Sequence, residues 1–492
     1  MEDFRDVLDE CGFQDLRFSG NKFTWCNGHG EGHTVWERLD RAVSTVEWMD
    51  MFSASKVDHL ESGSSDHKPL MIILAGIPKK INKPWRFEQM WMEEVGYREL
   101  MEDAWAYEFQ GSAMNRLEGK VDRCHRNLIR WSKVAFGNVT QKLKKKKKLL
   151  ALVEVEATRG GHIARVLRLN KEISKLLVKE EQMWKQQSRS LWLQEGDNNT
   201  RYFHSQASHG FRMNRIDNLD DANRDLCSDE DGISNILINY YQQLFTSSNP
   251  SMIEAIVEQI PCSINDEMNE ELLADFTWKE VVVALKQMEP LKAPGLDGLS
   301  LLFFQHYWHA VEDDVTEAVL SFLFTGVIPP SINRTFISLI PKVKGPTKVS
   351  EFRPISLCNI IYKFVSKVVA NRIKGLLPLI ISDTRSAFQS DKAISDNILV
   401  AFETFHHMKN QKSMKGGFMA LKLDMSKAYD RVEWRFLELT IRKMGFCNWW
   451  VDLIMSCIGS ASYQVLVNGV PIGHIRPKGG LGRAILYPHI SF

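Results

Sequence analysis

The sequence predicts an α+β chain of several domains, and three patterns carry that expectation. Residues 1–75 alternate apolar and polar positions between turn signals, and residues 76–275 place apolar side chains at helical spacing among many cations. Residues 276–492 return to short apolar runs, turn-rich loops and helical stretches. With 492 residues and 44% hydrophobic side chains there is material for roughly two or three cores. The 62 basic and 61 acidic side chains nearly cancel, so net charge selects no class of partner. Their distribution does: from Lys120 to Arg189 there are 19 Lys/Arg against 6 Asp/Glu. The eight cysteines are scattered, with no C-x-x-C pair and no zinc-like His spacing, as expected of reduced thiols. No signal peptide opens the chain and no apolar run reaches about 18 residues, so no membrane partner is expected, and the chain is placed in the nucleus or cytoplasm.

In the first segment, turn signals at Ser19-Gly20-Asn21 and Asn27-Gly28 separate Phe23-Thr24-Trp25, Glu37-Arg38-Leu39-Asp40-Arg41 and Ser64-Ser65-Asp66-His67. Asp66 beside His67 is either a loop with a hydrogen-bonded imidazole or a base that activates water for phosphodiester hydrolysis. Met1 leads straight into a helix-like Phe4–Asp9, so the opening of this domain is expected to be missing.

Helical periodicity dominates residues 76–275. Ile163, Val166, Leu169, Ile173, Leu176 and Leu177 fit one apolar face, and Gly160-Gly161 predicts a break between two helical arms. Lys144, Lys145, Lys146, Lys147 and Lys148 form an unbroken cationic block. Such a block is either a solvated helix face or a salt-sensitive contact to a nucleic-acid backbone. Downstream, Trp192-Leu193-Gln194-Glu195-Gly196-Asp197 runs into Asn199-Thr200-Arg201-Tyr202-Phe203-His204. Arg201 and the rings beside it suit either RNA contact or packing against the following domain.

In the last segment, Lys292-Ala293-Pro294-Gly295-Leu296-Asp297-Gly298 reads as a loop that permits close backbone approach. Phe336 to Lys342 reads as a strand, and Phe352-Arg353-Pro354 follows it. Lys342 and Arg353 on adjoining strands could clamp a triphosphate, because guanidinium forks to phosphate oxygens and ammonium acts as a point charge. Phe418 to Leu423 reads as a short buried strand that ends on Asp424 and turns into a helix holding Val432, Trp434, Phe436 and Leu437. Asp424 either caps that helix or holds a metal ion at a cleft, with Tyr429 beside whatever the metal binds.

Taken in order, K-A-P-G-x-D-G, I-x-L-I-P-K, F-R-P-I-S-L, S-A-F, D-N-I-L-V-A-F-E and L-K-L-D-x-S-K-A-Y-D resemble the reverse transcriptase of LINE-type (non-LTR) retrotransposons. The W-L-x-E-G-D-x-N-T signature resembles the segment ahead of the polymerase in plant members. The three N-terminal motifs resemble the end of an endonuclease/exonuclease/phosphatase domain. The resemblance implies a partial α/β-sandwich endonuclease (1–75), a basic helical connector (76–275) and incomplete reverse transcriptase fingers and palm (276–492). It implies RNA template, DNA primer or target, and dNTPs as partners, with Mg²⁺ as cofactor. Asp424 becomes the first metal-binding carboxylate, Tyr429 the ring under the incoming sugar, and Lys342 and Arg353 the triphosphate contacts. Asp66 and His67 fall in the endonuclease active site, and Asp40 in its R-[IL]-D element. After S-A-F this chain departs from the family, with Ser390-Asp391-Lys392 in place of P-G-R.

Two departures imply that neither activity survives in this form. The upstream endonuclease ligands have no counterpart in residues 1–75, and no [FY]-A-D-D hairpin follows Asp424. The tail offers a reason, because codons for Gly482–Phe492 can be chosen that read R-Q-G-D-P-L-S-P-H-I-F in a neighbouring frame. A one-base frameshift or a displaced gene boundary near Leu481 is the resulting expectation. The alternative reading is a non-enzymatic remnant that binds nucleic acid through its basic arm.

Overall fold

The computed structural model describes residues 7–8, 10–16, 18–28, 33–52, 54–62, 65–75, 84–157, 163–188, 200–381, 393–410, 418–423 and 425–481, without the side chains of 46, 50, 135, 200–202, 204–205, 208–209 and 394. The chain is mixed α+β, mostly helical, with small sheets.

The alternating N-terminal pattern yields very short strands. β1 (Gln14–Asp15) pairs antiparallel with β5 (Val43–Ser44), and β3 (Trp25–Cys26) with β4 (Trp36–Glu37). β2 (Phe18–Ser19) runs parallel to β6 (Lys56–His59), which pairs antiparallel with β7 (Leu70–Ile73). Their shared core is small: Leu16, Ala42, Met49 and Val57. Polar and stacking contacts supplement it. Arg38 forks onto Asp15 at 2.7 and 2.9 Å and lies 4.2 Å from the centre of the Phe18 ring, whose other neighbour is the stacked His59 at 4.1 Å.

In the connector, Met114, Leu117, Val121, Cys124 and Leu128 recur at three- and four-residue steps and are all buried along the helix Ala113–Trp131. Ser112 caps its start by accepting from the Asn115 N–H at 3.3 Å. Two long arms follow, Val139–Ala157 and Ile163–Ser188, and they pack against each other. The expected stripe is uneven: Leu169 and Ile173 are buried, whereas Ile163 and Leu177 are exposed. Beyond the helix Thr200–Met213, β8 (Leu219–Asp220) and β9 (Leu226–Cys227) form a hairpin.

The last segment is built on a four-stranded sheet in the order β11, β10, β12, β13. β10 (Arg334–Pro341) pairs antiparallel with β11 (Phe352–Cys358) and parallel with β12 (Ser462–Val467), and β13 (Val470–Ile475) closes the far edge. Asn468 and Gly469, both at positive φ, make the β12–β13 turn, as expected of an Asn-Gly hairpin. One face of the sheet, carrying Ile337, Leu339, Phe352, Cys358, Tyr463, Val465 and Val467, joins a core that runs without interruption from Phe87 to Ile475.

One expectation fails here. Residues 418–423 form no strand, and Phe418, Met419, Leu421 and Leu423 are exposed. An apolar run becomes a strand only when a neighbour takes up its backbone N–H and C=O groups, and among the described residues none lies beside it. The preceding helix Ile394–Asn410 likewise leaves Ile398, Leu399, Val400, Phe402 and Phe405 exposed.

Candidate functional site

The sheet's other face carries the candidate triphosphate clamp. Arg353 sits opposite Ile340 across the β10–β11 pair, and the Lys342 N–H donates to the Glu351 carbonyl at 2.8 Å. Side chains alternate along a strand, so Ile340, Lys342 and Arg353 project from the same face. Both cations are exposed, and the Lys342 ammonium donates to the Ser350 carbonyl at 2.9 Å. Arg353 thus stands on β11, whereas Lys342 immediately follows β10, which ends at Pro341 rather than at the expected Lys342.

Farther along that face, Phe336, Leu357 and Leu466 are covered by Ala293 and Leu296 of the Lys292–Gly298 loop. The loop is anchored by polar contacts that sequence reasoning missed. Asp297 accepts from the Ile360 N–H at 2.6 Å, at the start of the helix Ile360–Lys374, and its own N–H donates to Asn359 Oδ1 at 3.2 Å. Burial pushes the Asp297 carboxyl up to about 6, against the Ile360 hydrogen bond and the Lys363 charge. Lys363, itself buried, donates to the Ala293 carbonyl at 2.9 Å. A Cβ on Gly295 would stand 2.5 Å from the Cys358 carbonyl carbon, so glycine is required by close approach rather than by its φ. Gly-Pro punctuation signalled a loop in the sequence; nothing local signalled where it docks.

Tyr429 lies in a 3₁₀ turn, Ala428–Arg431, and is exposed. Its carbonyl accepts from the Leu481 N–H at 2.8 Å, and the helix Trp434–Lys443 follows with Trp434, Phe436 and Leu437 as expected, while Val432 is extended and precedes it. Asp424 lies outside the described residues. No group of three or more His, Cys, Asp or Glu side chains able to hold a metal ion occurs among the described residues, so the expected Mg²⁺ finds no ligand set there.

The N-terminal unit brings its three motifs together. His67 Nδ1 meets Asp40 Oδ2 at 2.8 Å, Trp25 Nε1 donates to Asp66 Oδ2 at 2.9 Å, and Trp25 bridges His67 through the backbone. The hydrogen bond to Asp40 raises the His67 pKa above 6.5. Burial would raise the Asp40 carboxyl, but hydrogen bonds from His67 and Thr24 and the imidazolium charge carry it below 3.8. The Trp25 hydrogen bond lowers Asp66. This is an oriented imidazole beside a carboxylate kept ionised.

On the basic arm, Lys144, Lys145, Lys147 and Lys148 are exposed, while Lys146 is half-buried and paired with Glu172 at 2.6 Å. The Arg201 backbone is helical, and its side chain lies outside the described residues. Phe203 is buried, which fits the packing alternative for that ring rather than base stacking. From the same helix, the buried Arg212 donates to the Met49 carbonyl at 3.0 Å and ties the connector to the N-terminal unit.

Residues 340–476 match the family of reverse transcriptases, RNA-dependent DNA polymerases. Over 464 residues the chain is 24% identical to a 149 kDa protein of transposon TX1 from Xenopus laevis, covering 89% of this chain and 34% of that protein. It is 29% identical over 166 residues to a Pol polyprotein of the type-1 retrotransposable element R2 from Nasonia vitripennis, covering 32% of this chain and 15% of that one. Over 279 residues it is 22% identical to a 115 kDa protein of the retrotransposable element R1DM from Drosophila melanogaster, covering 54% and 24%. The chain therefore spans about a third or less of the length of these relatives.

Proposed function

We propose that this chain, whose residues 340–476 match the reverse transcriptase family, comprises the fingers and the first part of the palm of an RNA-directed DNA polymerase of the non-LTR retrotransposon kind. The observation that carries the reading is the shared sheet face of Lys342 and Arg353, flanked by the anchored Lys292–Gly298 loop. There the guanidinium forks to phosphate oxygens of an incoming dNTP and the ammonium offsets their charge. Tyr429 supplies the ring beneath the sugar and excludes a ribose 2′-OH. The base is chosen by pairing with an RNA template, and Asp424 is the first carboxylate for Mg²⁺, which when bound would neutralise charge on the triphosphate. Residues 1–75 form the end of an endonuclease/exonuclease/phosphatase-like domain with Asp66 and His67 in its active site, and the connector signature supports a plant LINE origin. No Asp-Asp pair follows Asp424, so a polypeptide of these 492 residues alone transfers no nucleotide.

A second reading rests on the exposed Lys144, Lys145, Lys147 and Lys148, with Lys146 and Arg201 beside them: an RNA-binding remnant without catalysis. One experiment separates the two. Fluorescent dNTP binding and primer extension are measured with Mg²⁺, an RNA template and a DNA primer. Expected are dNTP binding that weakens about tenfold in Arg353→Ala and in Lys342→Ala, and no extension. Extension by wild type that is lost in Asp424→Ala would overturn the inactivity. Salt-sensitive RNA binding with no dNTP binding would leave the second reading.

A further inference from the structure

We infer that Tyr240, on the connector helix Glu230–Leu244, is a positioning residue that holds the turn carrying Tyr429 in its working shape. The inference rests on the nucleotide-site reading above only for what the turn does; the latch itself stands on contacts.

Lys427, immediately before the turn, has φ +54°, a left-handed conformation that a residue with a Cβ adopts only at a steric cost. Such a conformation persists where its surroundings over-determine it. Here the Lys427 ammonium donates to the Tyr240 hydroxyl, lies 4.2 Å from the centre of the Tyr240 ring, and is 5.7 Å from that of Tyr241. The Lys427 carbonyl then accepts the Asp430 N–H at 3.0 Å, which closes the turn around Tyr429.

The connector grips the other side as well. Glu433 accepts from Ser247 Oγ at 2.6 Å, and from Ser248 N–H and Ser248 Oγ at 2.8 Å each. Gly480, at φ +78°, lets the backbone pass 2.6 Å from the Asp430 carbonyl oxygen, measured from where a Cβ would stand, and its carbonyl accepts from Trp434 Nε1 at 2.8 Å. Tyr240 also lies within electrostatic reach of Lys342, Asp430 and Arg431, so one phenol touches the fields of both the fingers cation and the turn. Tyr240, Ser247 and Ser248 all precede residues 340–476, so the positioning device comes from outside the matched polymerase segment.

The test is hydrogen exchange of the Asp430 and Leu481 amides in the full chain, with dNTP and rNTP affinities measured alongside. Tyr240→Leu, which removes both hydroxyl and ring, is expected to speed exchange of both amides about tenfold while the helix Trp308–Thr325 is unchanged, with Tyr240→Phe intermediate. Adding Lys427→Gly to Tyr240→Leu is expected to recover part of the slow exchange, because glycine adopts positive φ without a Cβ clash. Unchanged exchange in Tyr240→Leu, or failure of Lys427→Gly to rescue a folded double variant, overturns the latch. The dNTP-to-rNTP affinity ratio is expected to fall several-fold in Tyr240→Leu and to hold in Arg353→Ala. A wild type that binds neither nucleotide would sink the site reading, and the exchange data would still decide the latch.

Discussion

His67 and Asp40 illustrate what a single residue pair controls. The raised imidazole contributes stability that is fully present below 6.5 and is lost as pH climbs through the folded value. The lowered Asp40 carboxyl contributes stability that is present above 3.8 and is lost as pH falls through its folded value. The pair is therefore intact between those limits, and both partners are exposed enough for salt to weaken it. In an NMR titration, Asp40→Asn should bring the His67 inflection down toward 6.5; an unmoved inflection would show that Asp40 is not the cause. The stretches holding Trp25, Asp40, Asp66 and His67 were legible as motifs because each is short and distinctive; their pairings were not. Asp297 was not, because the backbone N–H it serves is 63 positions away.

At the level of elements, Arg372 shows how one side chain joins three. Its guanidinium forks onto Glu280 at 2.8 Å, donates to the Leu272, Ala274 and Asp275 carbonyls that end the helix Asp266–Leu273, and lies 3.4 Å from the centre of the Phe276 ring. Its side chain is 9% exposed. Arg372→Met would leave those carbonyls without the guanidinium and Glu280 with only its Thr277 donors, at a cost of about 2–3 kcal/mol, read from urea unfolding. A loss below about 1 kcal/mol would mean that the fork is not formed in solution. Sequence alone cannot separate a structural Arg372 from a ligand-facing one, because Glu280 is 92 positions away. Nor could periodicity foresee the exposed 418–423 run, because an apolar pattern records what a segment would bury against and not whether that neighbour is present.

Over the whole molecule, the decisive feature is the continuous core from Phe87 to Ile475. The helices Ala113–Trp131 and Trp308–Thr325 are locked by Lys120–Asp314 at 2.7 Å and Arg116–Glu317 at 2.6 Å, and Trp105 Nε1, at the end of the preceding helix Tyr97–Trp105, donates to the same Asp314 at 2.7 Å. A polypeptide of residues 276–481 would expose that face and strand Asp314, so it should unfold without a cooperative transition, whereas residues 84–481 should melt cooperatively. Calorimetry of the two decides it, and a sharp transition in the shorter one would refute the point. The two-faced sheet has its own consequence for inherited change. Along β10, odd-numbered positions face the core and even-numbered ones face the Lys292–Gly298 loop, so adjacent codons answer to different physical constraints. Changes at the odd codons are therefore paid in folding, and changes at the even ones are not.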